Sequence, residues 1–146
     1  MRQSWRKLRP TILAAIPIAL MACGSSTTAP SNSVAGSYAP LVWVTVGGSG
    51  QTSELQVGST LTLNLHSNGL VSGSLHLGAT GSRPASDADM SGSWTLTGST
   101  ITISQSADTF VRNTSFEISP DPVRGWDLAG DVNYANTHIQ IILIPA

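Results

Sequence analysis

The side chains in this 146-residue chain best suited to acid–base, metal or nucleophilic chemistry are two glutamates, three histidines and one cysteine. Their spacing brings few of them together. His66 and His76 fall on either side of an expected hairpin turn, His66 beside the turn and His76 opposite Thr60. At about 3.4 Å per residue that separates them by roughly 20 Å, whereas shared coordination of zinc needs ligand distances near 2 Å. His138 stands alone before the last apolar run, with no partner motif nearby, and reads as a surface residue. Glu54 and Glu117 each alternate with core positions, so both are expected to face water. Asp87-Ala88-Asp89 and the acids from Asp127 to Asp131 lack the oxygen-rich spacing of an EF-hand loop. A Gly-x-Ser-x-Gly nucleophile elbow is missing too, and Cys23 directly follows an apolar leader. These features do not suggest an enzyme, and no cofactor or metal is expected. A hydrolase ranks third among the functional readings.

Arg112 carries a sharper question. If residues 108 to 118 form one unbroken strand, Arg112 shares parity with Phe110 and Phe116 and points inward, where it needs an acid, a Tyr hydroxyl or a ligand anion as partner. A bulge or turn near Asn113-Thr114-Ser115 would instead rotate it outward, and the cost of an unpaired inward charge favours that arrangement. Tyr38, Trp43, Trp94, Phe116 and Trp126, together with Arg112, form the candidate ligand-binding set. The aromatic residues either line a small apolar pocket or fill the interior, and close packing of so small a domain favours the filled arrangement.

The chain that must position these residues begins with a leader. Arg2, Arg6, Lys7 and Arg9 precede an apolar run from Thr11 to Ala22, broken only by Pro17, which is a signal-peptide profile. The run is shorter than the roughly 20 apolar residues of a spanning helix, so a permanent transmembrane segment is the weaker reading. Four of the seven basic residues lie in this leader, so the part from Cys23 onward keeps three against eight acids, a net charge of minus five. Arg83, Arg112 and Arg124 are scattered, which argues against nucleic acid or an anionic membrane surface as partner. Gly24 to Ser33 is a polar tether of ten residues, about 30 Å when extended. A single domain follows, from Val34 to Ala146, and is expected to be monomeric.

Leu20-Met21-Ala22-Cys23 resembles the lipobox of bacterial lipoproteins, with an aliphatic residue at minus three and a small one at minus one. The resemblance implies cleavage after Ala22, lipidation of the Cys23 thiol and acylation of the new amino terminus. Several acyl chains would hold the protein stably where one would not. An unpaired thiol in an oxidising compartment would otherwise be left over. Gly24 stands where family members kept in the inner membrane usually carry Asp, so the implied address is the cell envelope, at the outer membrane.

Within the domain, apolar residues recur at every second position among abundant Ser, Thr and Gly, which predicts an all-β fold. Eight strands are expected, at 37–46, 53–66, 70–77, 91–97, 100–105, 109–118, 123–130 and 138–144. A three-residue turn Ser67-Asn68-Gly69 opposes Leu65 to Val71, Leu63 to Gly73 and Leu61 to Leu75, whereas a two-residue turn would set Leu65 against Ser72. A two-residue Gly98-Ser99 turn likewise opposes Leu96 to Ile101 and Trp94 to Ile103. Leu55 and Val57 share parity with Leu61, so 53–66 reads as one strand bent at Gly58. The Gly78–Met90 stretch is the longest irregular segment, and its Ala, Ser and Asp content leans towards disorder. The last strand is apolar on both faces, so it is expected to be covered on both sides or to pair with the first, closing an antiparallel up-and-down barrel; a two-sheet sandwich is the alternative.

Val34-Ala35-Gly36-Ser37-Tyr38, the Ser67-Asn68-Gly69 turn with Ser72-Gly73-Ser74-Leu75, and Ser91-Gly92-Ser93-Trp94-Thr95-Leu96 look like small lipocalin-like domains of bacterial lipoproteins. A Gly-x-Trp signature belongs on the first strand of a lipocalin, but here that site reads Gly36-Ser37-Tyr38 and Gly92-Ser93-Trp94 lies mid-chain. The expectation is a lipid-anchored, non-catalytic envelope protein with a barrel that takes a small apolar ligand. The alternative is a protein-interaction or inhibitor module working through a loop or an open edge.

Overall fold

The computed structural model describes residues 34–146. The leader, Cys23 and the tether lie outside the described residues. Nine strands form a single antiparallel sheet: β1 (Gly36–Gly47), β2 (Gly50–Ser53), β3 (Thr60–Leu65), β4 (Leu70–Leu77), β5 (Ser86–Thr97), β6 (Thr100–Gln105), β7 (Ser115–Asp121), β8 (Gly125–Tyr134) and β9 (Thr137–Pro145). Each strand from β3 onward pairs with the next, and β9 returns to β1 from Tyr38↔Pro145 to Val46↔His138. The ring therefore closes as an eight-stranded up-and-down barrel, with β2 as an accessory strand. Closure accounts for the apolar character of β9, since Ile139, Ile141 and Leu143 enter the core while its backbone is paired on both edges.

Both expected hairpins hold in register. Leu65 faces Val71, Leu63 faces Gly73 and Leu61 faces Leu75; Leu96 faces Ile101 and Trp94 faces Ile103. Gly69 takes the left-handed conformation at φ 83°, which the three-residue turn demands and most side chains resist. Core side chains follow period two along β3, β4, β6 and β9. On β1 the period breaks: Tyr38 and Trp43 are five apart, yet both are buried. A register shift between Pro40 and Val42 inserts the extra residue, and Leu41 is turned out to 48% exposure. Gly130 on β8 gives up its side chain to Phe116: a Cβ there would lie 2.8 Å from the Phe116 ring.

Three segments depart from the expected strands. Residues 54 to 59 form a turn between β2 and β3 rather than the middle of one bent strand, with Gly58 at φ 83°. Parity carried from Leu61 back to Leu55 therefore fails. Leu55 is exposed and Glu54, expected to face water, is fully buried. Second, Ser86 to Met90 belong to β5 and pair with Leu77 to Gly73, so the irregular stretch is shorter than expected. Alternation explains this, because Ala88 and Met90 turn inward while Asp87 and Asp89 stay in water. Third, residues 109 to 114 are turns, and the strand begins only at Ser115.

Candidate functional site

The two ends of the barrel are built differently. The Ser67–Gly69, Gly98–Ser99 and Pro122–Arg124 turns gather at one end with the start of β1. There the Tyr38 hydroxyl donates to the Val34 carbonyl at 2.7 Å, and the Trp94 indole N–H donates to the His66 carbonyl at 2.9 Å. Burial pushes the Tyr38 hydroxyl above its ordinary pKa, so it stays a donor. Leu65, Val71 and Trp94 pack the floor.

At the opposite end lie the β1–β2 hairpin, the 54–59 turn, the 78–85 loop, the 106–114 segment and the β8–β9 turn. A cavity of about 370 Å³ opens at this end. Its apolar wall comes from Trp43, Leu75, Leu77, Phe110 and Ile139, with Thr45, Arg83, Asp87, Asp108 and Tyr134 among the polar residues. The Trp43 and Phe110 rings meet at 5.4 Å between centroids, tilted by 45°. Phe110 reaches this position because its segment folds inward. Gln105 accepts the Ala107 N–H at 2.6 Å and donates to the Thr109 hydroxyl at 2.9 Å, and the Thr114 hydroxyl donates to the Phe110 carbonyl. This local capping competes with strand pairing and ends the ladder early.

Beneath the rim sits an ion pair whose carboxylate is fully buried and whose guanidinium is partly exposed. The Glu54 carboxylate accepts from Thr45 Oγ1 at 2.7 Å, from Ser59 Oγ at 2.7 Å, and from Arg83 Nη1 and Nη2 at 3.1 and 2.7 Å. Arg83 Nη2 also donates to the Gly78 carbonyl at 2.9 Å. Burial pushes the Glu54 carboxyl upward, but the hydrogen bonds from Arg83, Ser59 and Thr45 and the Arg83 charge outweigh it and hold the carboxyl below its ordinary value. Glu54 thus stays ionised and clamps the 78–85 loop, itself bridged from Thr80 to Arg83, onto the mouth.

Of the six candidate ligand-binding residues, only Trp43 lines this cavity. Tyr38 and Trp94 belong to the closed end, Phe116 is buried in the middle of the core, and Trp126 packs half-buried against it. Arg112 points outward and pairs with Asp108 at 3.2 Å, as expected from the cost of an unpaired inward charge. Glu117 is exposed as expected and accepts from Ser99 and Thr100. His66 bonds Ser72, His76 pairs with Asp87 and His138 with Asp131, all on the outer surface. Sequence reasoning missed Glu54, Arg83 and Phe110. The available signal was the isolation of Glu54: a lone acid before Gly58 in a chain with three arginines after Cys23 invites a search for its cation. Comparison with protein-family models, curated proteins and solved structures gives no match, so the mouth is interpreted from its geometry and chemistry alone.

Proposed function

We propose that this is a lipid-anchored, non-catalytic protein of the cell envelope, whose barrel binds a small apolar ligand at the mouth lined by Trp43 and Phe110. The cavity carries the ligand half of this reading: about 370 Å³ with aromatic and aliphatic walls falls within the range of small-molecule sites. The acids near the mouth support the non-catalytic half, because Glu54 is consumed by Arg83, Asp108 pairs with Arg112 and Asp87 with His76. The lipobox-like Leu20–Cys23 stretch supports the anchor and an outer-membrane address. Titration with apolar fluorophores, read by emission and by tryptophan quenching, should give a saturable one-site response. A strictly linear response would remove the ligand-binding role. Replacing Cys23 with Ser should release the protein from the membrane fraction, and unchanged partitioning would rule out the lipid anchor.

A second reading, a protein-interaction or inhibitor module, draws on one surface. Leu41, Val42 and Val46 on the outer face of β1 are 48%, 40% and 41% exposed, and Val42 lies opposite the half-buried Ile142 of β9. Val42→Lys should abolish capture of a partner under this reading and leave the fluorophore response unchanged.

A further inference from the structure

We infer that the ligand of the mouth cavity is a neutral apolar molecule bearing a hydrogen-bond acceptor, such as a ketone or ester carbonyl, which takes up the indole N–H of Trp43. This deepens the ligand-binding reading and rests on it. Among the described residues, three buried side-chain polar atoms lack a hydrogen-bond partner: Trp43 Nε1, Arg83 Nε and Asp127 Oδ1. The first two belong to residues lining this one cavity. Asp127 lies on the barrel wall towards the closed end, and its other carboxylate oxygen is held by Arg124.

Both orphaned atoms at the cavity are donors, and neither side chain can accept. Three neighbouring side chains already spend donors inside the protein. Thr45 gives its hydroxyl proton to Glu54, Tyr134 gives its own to the Asp108 carbonyl at 2.9 Å, and both Arg83 terminal nitrogens serve Glu54. Trp43 is 1% exposed, so its N–H is denied bulk water and an occupant reaches it through a small turn of the ring or of a neighbouring side chain; the Trp94 indole at the other end shows that this chain does satisfy a buried indole where a carbonyl is within reach. A donor left over beside an apolar cavity calls for an acceptor delivered by the occupant.

Charge selects among acceptors. Arg83 is neutralised by Glu54, and the exposed Asp87 and Asp108 add negative charge at the rim, offset only by His76 when protonated and by Arg112. A carboxylate would enter a region with no cation to spare, whereas a carbonyl oxygen carries no such penalty.

Three probes of similar size separate the possibilities when used to displace an apolar fluorophore from the full chain: butyrophenone, n-butylbenzene and 4-phenylbutanoate. Butyrophenone should displace the dye, and 4-phenylbutanoate should do so more weakly. In Trp43→Phe, which keeps a ring but removes the N–H, the preference for butyrophenone over n-butylbenzene should shrink by about three- to tenfold, the worth of one hydrogen bond. The affinity of Trp43→Phe for n-butylbenzene is the reference, because any change in the apolar wall acts on both probes and cancels in their ratio. The Trp43 indole proton in the unaltered protein gives a second readout, shifting downfield with butyrophenone and not with n-butylbenzene. An unchanged preference in Trp43→Phe, or an indole proton that ignores the ketone while the dye is displaced, would overturn the inference and leave apolar binding standing. Tighter binding of 4-phenylbutanoate would reverse the assignment from neutral to anionic. If no probe displaces the dye, or none binds at all, the ligand-binding reading itself falls.

Discussion

The closed end and the open end of this barrel use the same kinds of side chain to opposite effect. Trp94 and Tyr38 at the closed end are tied to backbone carbonyls within a few residues of the turns they seal. Trp43 at the open end is as deeply buried, yet its indole N–H has no partner. The closed end is held by apolar packing and by side chains bonded to backbone carbonyls, Tyr38 to Val34 four residues away and Trp94 to His66 across 28. The open end is held by contacts between side chains, chiefly Arg83, Thr45 and Ser59 on the Glu54 carboxylate. A chain can thus seal one end of a barrel on its own backbone carbonyls and keep the other shaped by a few side chains gathered on one buried carboxylate.

The largest expected effect lies at the closed end. Trp94→Ala should cost about 3–5 kcal/mol in chemical denaturation, from the lost ring volume and the stranded His66 carbonyl. It should leave dye affinity at the mouth intact in whatever fraction folds. A loss of less than about 1 kcal/mol would mean that the floor is not what holds the barrel shut.

At the open end, Arg83→Met should cost about 2–4 kcal/mol, because it strands a fully buried carboxylate while Arg83 itself is partly exposed. Unlike Trp94→Ala, it should also alter dye binding, since the 78–85 loop loses its clamp. The pH dependence sharpens the contrast. The Glu54 carboxyl is depressed in the folded protein, so its stabilisation is complete above its unfolded value of about 4.3 and is lost as pH falls through its lower folded value. Glu54→Gln should flatten the acid limb of the stability profile, and an acid limb of unaltered slope would contradict the assignment. The smallest effect belongs to Arg112→Ala. Its exposed pair with Asp108 is worth less than about 1 kcal/mol, and a larger loss would mean that the pair anchors the 106–114 segment.

The same contrast explains what could be read from the sequence. Period-two alternation and turn chemistry are local, so the Leu61–Leu75 and Trp94–Ile103 pairings and the closure through Ile139 to Leu143 are legible in the sequence. Arg112 was legible too, because the cost of burying its charge decides its direction. The mouth was not. Parity arguments assume an unbroken strand, and between Ser53 and Thr60 the chain turns because Glu54 has partners in Thr45, Ser59 and Arg83. Parity puts Phe110 in a strand, whereas its segment folds over the interior to meet Trp43. Binding residues drawn from the core aromatics therefore fell mostly on the floor, and only Trp43 belongs to the cavity.

The edge of β1 carries one more consequence. Its lower part pairs with β3 over only Gly36 to Tyr38 and its upper part with β2 from Val44 to Gly47, which leaves residues 39 to 43 outside both ladders. The β6–β7 ladder is equally brief, from Thr100 to Thr102. Both short seams end where the rim is made of inserted chain, the 54–59 turn on one side and the 106–114 segment on the other. The wall of the vessel is woven, but its lip is fastened at a few points. Widening the aperture therefore requires those fastenings to release, while the ladders that keep the vessel whole remain in place.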